Sequence, residues 1–79
     1  MSKYNTIFDG KFLTDVAMGE TGYNYYSYLD VNSNWVILRE NTDENEYRVV
    51  TGHGNYSSIW TLRADQSYKK MEDISIKQV

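Results

Sequence analysis

The stretch Tyr23-Asn24-Tyr25-Tyr26-Ser27-Tyr28-Leu29-Asp30, with Val31-Asn32-Ser33-Asn34 and Trp35-Val36-Ile37-Leu38-Arg39-Glu40 after it, decides the fold. Side chains alternate along an extended chain, so Tyr23, Tyr25, Ser27 and Leu29 share one side and Asn24, Tyr26, Tyr28 and Asp30 the other. Both sides carry aromatic rings, so neither reads as a freely solvated face. A sheet covered on both sides, or one with a core face and an interface face, accounts for this. Residues 31–34 tolerate tight backbone geometry and predict a turn. The next strand opposes Trp35, Ile37 and Arg39 to Val36, Leu38 and Glu40. A polar turn over 41–45 and a strand over Glu46-Tyr47-Arg48-Val49-Val50 complete three antiparallel strands, because parallel pairing needs a long crossover.

Towards the N-terminus, Asp9-Gly10 is a hairpin signal between Thr6-Ile7-Phe8 and Lys11-Phe12-Leu13. Alternation from Tyr4 to Met18 is weak, which leaves a docking arm that orders on a partner as the alternative. Gly19-Glu20-Thr21-Gly22 reads as a break. The chain thus divides into an N-terminal hairpin or arm over 1–20 and a β-meander domain over 21–79.

Towards the C-terminus, Thr51-Gly52-His53-Gly54 reads as the end of the sheet and Asn55 as the N-cap of a short helix at about 56–64. Tyr56, Ile59, Trp60 and Arg63 fall on one helical face. So short a helix is unstable alone, and that face must lie on the sheet. Tyr68 to Met71 and Ile74 to Ile76 read as a last edge strand, with Lys69, Lys70 and Lys77 discouraging stray pairing. The expected fold class is mainly β: a small antiparallel sheet, a three-stranded meander plus an N-terminal hairpin or arm, with one short helical turn packed on it.

The 79 residues make one domain with a small core. With no cysteine there is no disulfide, which fits a reducing compartment or a particle assembled in one. His53 is the single histidine, too few for a structural zinc site. Oligomerisation or docking is therefore the expected source of added stability. Eight tyrosines and two tryptophans dominate the apolar content, and such side chains suit half-buried sheet faces and interfaces. A net charge of −3 with interspersed signs argues against a phosphate-binding surface and is mild for a nucleic-acid mimic. Met1-Ser2-Lys3-Tyr4-Asn5 lacks the apolar core of a signal peptide, and no apolar run approaches a membrane span.

Catalytic chemistry finds little to stand on. His53 lies between two glycines with no cysteine to activate, and Ser57 and Ser58 sit in no recognisable motif. Asp30-Val31-Asn32-Ser33-Asn34 opens like a calcium loop, but Trp35 stands where glycine is needed and Asn41 where a bidentate glutamate belongs. Asp43, Glu44 and Glu46 read as a solvated turn, and Gly52-His53-Gly54 lacks the lysine of a phosphate loop. Tyr23, Tyr25, Tyr26, Tyr28 and Tyr47 resemble a base-stacking platform without the basic groove such platforms use. Glu40 and Glu46 are expected to pair with Arg48 and its neighbours at the surface. The reading is of a non-enzyme with no cofactor, no catalytic residues and no metal.

The order Tyr23-x-Tyr25-x-x-Tyr28-Leu29, Trp35-Val36-Ile37-x-Arg39, Glu46-Tyr47-Arg48, Gly52 to Tyr56, Trp60-x-x-Arg63 and Tyr68 resembles small β proteins associated with the heads and tails of tailed bacteriophages. The likeness covers residues 23–68. It implies a virion accessory subunit, assembled in the host cytoplasm and present in several copies. Its partners would be neighbouring virion proteins and copies of itself, with no nucleic acid or membrane. The expected partner-binding residues are Tyr26, Tyr28, Trp35, Tyr47 and Trp60. The alternative is a phage-encoded inhibitor that binds a host or defence protein.

Overall fold

The computed structural model describes residues 7–70. Its strands are β1 (Phe12–Glu20), β2 (Tyr23–Leu29), β3 (Asn34–Asn41), β4 (Glu46–His53) and β5 (Lys69–Lys70), with helix α1 (Tyr56–Thr61) and a 3₁₀ turn (Arg63–Asp65) between β4 and β5. They form one antiparallel sheet in the order β1-β2-β3-β4-β5, so every strand pairs with its sequence neighbours. The protein is mainly β, as its alternation predicts.

Register follows the alternation. Tyr25 faces Arg39, Ser27 faces Ile37 and Leu29 faces Trp35 across β2–β3. Trp35 faces Gly52 and Ile37 faces Val50 across β3–β4. These side chains share the face that α1 covers. Tyr25, Trp35, Ile37 and Tyr68 form its buried core, and Leu29, Val50, Ile59 and Trp60 pack around them. Burial of each large apolar side chain is worth about 1.5–3 kcal/mol, which makes this layer the main source of stability.

The glycines after β4's apolar residues do not end the strand, as residues 51–54 were expected to do. β4 runs on to His53, and the Trp35 ring lies flat on Gly52, where a Cβ would come within 2.3 Å of it. Trp35 Nε1–H donates to the Gly54 carbonyl at 2.8 Å, which anchors the ring's polar edge. The chain then reverses through two left-handed residues, Gly54 at φ +75° and Asn55 at φ 55°. Asn55 is the N-cap residue, as expected, and its carbonyl accepts from the Ile59 amide at 3.1 Å, but its side chain makes no capping hydrogen bond, because αL geometry at this corner is what the residue supplies.

The N-terminal expectation is also revised. Asp9–Gly10 does form a turn, but Ile7–Phe8 is a 3₁₀ turn, and residues 12–20 form the first strand of the same sheet. No boundary separates them from the meander, since β1 pairs with β2 from Phe12↔Leu29 to Glu20↔Tyr23. Register shifts between Leu13 and Asp15 and between Ala17 and Glu20 mark irregularities in that ladder. Each inserts a residue and reverses the alternation, which is why the pattern reads weakly in the sequence. Residues 1–6, including Tyr4 and Thr6 of the expected hairpin or arm, lie outside the described residues, as do Met71, Ile74–Ile76 and Lys77 of the expected last strand.

Two contacts tie β1 to the helical segment. Tyr56 O–H donates to Asp15 Oδ2 at 2.5 Å and also meets the Ser27 hydroxyl, which is fully buried. Arg63 grips the Glu20 carboxylate with Nε and Nη2, at 2.9 and 2.7 Å. Its Nη1 donates to the Trp60 carbonyl at 2.8 Å, and its guanidinium lies 4.5 Å over the Trp60 ring.

Burial, reinforced by the neighbouring Asp15 carboxylate, pushes the Tyr56 phenol up to about 12. Burial also raises the Tyr68 phenol. For a phenol whose pKa is raised by folding, the neutral form is the one the fold favours. Its contribution is complete below the ordinary value of about 10 and is lost as pH rises from there towards 12. In an alkaline titration, the last tyrosinate absorbance is expected to appear together with loss of the circular-dichroism signal of the fold. Complete ionisation near the ordinary value, with the fold intact, would contradict this.

Candidate interaction surface

The second face of the sheet carries Asn24, Tyr26 and Tyr28 from β2, Val36, Leu38 and Glu40 from β3, and Tyr47, Val49 and Thr51 from β4. Register places Tyr26 between Val16 and Leu38, and Tyr28 between Leu13 and Val36. Phe8 meets the Tyr28 ring edge-on at a centroid distance of 5.0 Å. Val36 and Val49 are buried, whereas Leu13, Val16, Met18 and Tyr47 are exposed.

Glu40 organises the polar part of this face. Its Oε1 accepts from Asn24 Nδ2 at 3.2 Å and from the Tyr26 hydroxyl at 3.1 Å, and its Oε2 accepts from the Tyr47 hydroxyl at 3.1 Å. These hydrogen bonds, that of Asn24 first, hold the Glu40 carboxyl below the usual carboxylate range. The same carboxylate raises the Tyr47 phenol, and burial together with Glu40 raises that of Tyr26. Exposed Tyr47 and half-buried Tyr26 are thereby fixed in orientation on this face. Preorganised aromatic groups lose little freedom on binding, which suits them as contact residues.

The five expected partner-binding residues do not lie together. Tyr26, Tyr28 and Tyr47 share the second face. Trp35 is 5% exposed in the core beneath α1, and Trp60 is half-buried on the same side, stacked with Tyr56. Glu40 is separated from Arg48 by the sheet itself, since the two alternate to opposite faces. Arg48 does pair with Glu46, the other acid expected there, at 3.3 Å.

Residues that the sequence reading passed over complete the surface. Asn24 alternates with Tyr26 on β2 and Glu40 pairs with Asn24 and Tyr47 across the ladder, a placement that follows from the alternation once register is set. Leu13, Val16 and Met18 are hidden by the irregularities in β1. The aromatic set that resembles a base-stacking platform is likewise divided, because Tyr23 and Tyr25 lie on the helix side.

The remaining sequence candidates have simpler positions. Asp30 turns its carboxylate into its own loop, with Oδ1 accepting from the Asn32 and Asn34 amides at 2.9 Å each and Oδ2 accepting from Asn34 Nδ2 at 3.0 Å. These bonds, the Asn34 side chain's first, hold its carboxyl low. His53 closes β4 and is exposed. Among the described residues no cluster of three His, Asp or Glu side chains is placed to hold a metal, and no helix is long and apolar enough to cross a membrane. No protein-family model, curated protein or solved structure matches the chain.

Proposed function

We propose that this chain is a non-enzymatic assembly subunit that works by protein–protein contact, with its partner seated on the Tyr26–Tyr28–Tyr47 face and along β1. One observation carries the reading. Of the large apolar side chains exposed among the described residues, four stand on β1: Phe12 at 68%, Leu13 at 57%, Val16 at 47% and Met18 at 61%. Tyr47 adds a fifth on the adjoining face. Such clustering on one strand of a small domain is the pattern of a contact surface. Aromatic anchors at the centre of an interface each cost on the order of 2 kcal/mol when truncated, so the tyrosines would supply much of the affinity. The setting, an accessory subunit of a tailed-phage particle, comes from the sequence resemblance.

The test places a photo-crosslinking amino acid at position 16 or 47 in the cell that makes the protein, with position 58 beyond the sheet as control. Adducts with one discrete protein, from positions 16 and 47 and not from 58, are expected. This chain and whatever protein carries the adduct, a further copy of the chain included, are expected together by mass spectrometry of purified particles. No discrete adduct at either position would overturn the reading.

A further inference from the structure

The two edges of the sheet differ. β5 is two residues long, and both are lysines, the usual guard against stray pairing. β1 is nine residues long and contains no lysine, arginine or proline. It is the long edge strand of the described residues, and it exposes apolar side chains beside its outer row of backbone groups. Resting on the contact surface proposed above, we infer that its occupant is a second copy of this chain, joined by antiparallel β1–β1 pairing about a two-fold axis near Val16.

The backbone sets the axis. The Asp15 N–H donates to Ser27 Oγ at 2.9 Å and its carbonyl accepts from the same hydroxyl at 3.3 Å, so both groups turn inwards, towards β2. Backbone direction alternates along a strand, which turns the N–H and C=O of Val16 outwards. Two copies related by a two-fold axis at Val16 exchange these bonds as a residue pair. Met18 of each then lies opposite Thr14 of the other. Val16 side chains from both copies meet on the tyrosine face, which becomes continuous across the axis.

Charge favours a copy of the same strand. Like charges on identical strands would ordinarily oppose self-pairing, and β1 carries two acids, Asp15 and Glu20. Both are already engaged within the chain, Asp15 by Tyr56 and Glu20 by the bidentate Arg63. Asp15 keeps its charge but is turned to Tyr56 on the helix side, so on the tyrosine face, where the Val16 side chains meet, β1 presents no charged side chain to its twin. Closure follows as well. Among the described strands each copy has one such edge, and an isologous contact uses both. Irregularities at both ends of the Asp15–Ala17 segment keep the pairing short.

Sedimentation of the full chain over a wide concentration range tests this, with Val16→Lys and, as a control on the opposite side, Leu62→Lys. Val16 and Leu62 are both exposed, so both variants are expected to fold, checked by circular dichroism. Wild type and Leu62→Lys are expected to dimerise alike. Two lysines face to face on the axis are expected to weaken the dimer at least about a hundredfold. As a second measurement, Val16→Cys places one cysteine on each side of the axis in a chain that has none. Residues exchanging both hydrogen bonds sit about 5.5 Å apart between Cα atoms, within disulfide reach, so mild oxidation is expected to give a covalent dimer. Leu62→Cys under the same conditions is expected to give no covalent dimer.

A wild-type monomer at every concentration overturns the inference, as does a dimer that survives Val16→Lys. If position 16 nevertheless crosslinks a different protein in the cell, only the identity of the occupant fails and the contact surface stands. A monomer with no adduct at position 16 or 47 brings down both.

Discussion

Replacing Trp35 with alanine is expected to remove about 3–5 kcal/mol of folding stability, the usual cost of deleting a buried large aromatic side chain. The ring is 5% exposed, sits in the core with Tyr25, Ile37 and Tyr68, and donates its Nε1–H to Gly54. A domain of this size has a stability near the lower end of the usual 5–15 kcal/mol range. The variant is therefore expected to be largely unfolded at room temperature. Trp35→Phe keeps most of the apolar area but loses the hydrogen bond to Gly54, and an intermediate loss is expected. Denaturant titration followed by circular dichroism measures both. Equal midpoints for wild type and Trp35→Ala would show that the ring is not part of the core.

The second large effect is expected at Gly52, where the sign runs against strand propensity. Glycine inside a strand ordinarily costs roughly 0.5–1 kcal/mol relative to alanine, and the backbone of Gly52 is not in the left-handed region. On those grounds Gly52→Ala would stabilise. The Trp35 ring decides otherwise: an added Cβ would lie 2.3, 2.7 and 2.9 Å from three of its carbons. The ring is held on its far side by the core and at its polar edge by Gly54, so it has little room to withdraw. A loss of about 1–3 kcal/mol is expected from the overpacking. The diagnostic is a double-mutant cycle in a host stable enough to measure, such as Trp35→Leu, where the added methyl meets a smaller side chain and most of the penalty is expected to vanish. An equal loss in both backgrounds would place the cause in the backbone instead.

Much of this architecture is legible in the sequence, and the exceptions have identifiable causes. Tyr23 to Leu29 and Trp35 to Glu40 alternate cleanly, and their strands, faces and turn follow directly. The helical spacing of Tyr56, Ile59, Trp60 and Arg63 likewise gives the face that meets the sheet. β1 is obscured because two irregularities reverse its alternation, so Leu13, Val16 and Met18 do not read as a set. Gly52 reads as a breaker because its reason for being glycine lies 17 positions away in sequence, in a ring that only pairing brings over it. Asn55 offers a capping side chain, but the reversal after β4 uses its tolerance of positive φ instead. The expected surface is split for a related reason. Residue type marks Trp35 and Trp60 as contact candidates, whereas strand and helix phase put them on the opposite side from Tyr26, Tyr28 and Tyr47.

The strand order has a consequence for how the chain finds its fold. The hairpins that join β1 to β4 close over short connections, so their pairing waits on no distant segment and the loop-closure entropy of each step is small, whereas β5 reaches β4 only across the helical segment. The contacts that span far more sequence are Tyr56 to Asp15 and Arg63 to Glu20, at separations of 41 and 43 residues. Neither belongs to the hydrogen-bond ladder. The meander is thus able to assemble from neighbouring hairpins first, with the helical segment settling over it and locking the first strand last. In that sequence of events β1, paired on one side only among the described residues, is held by the ladder alone until the helical segment arrives.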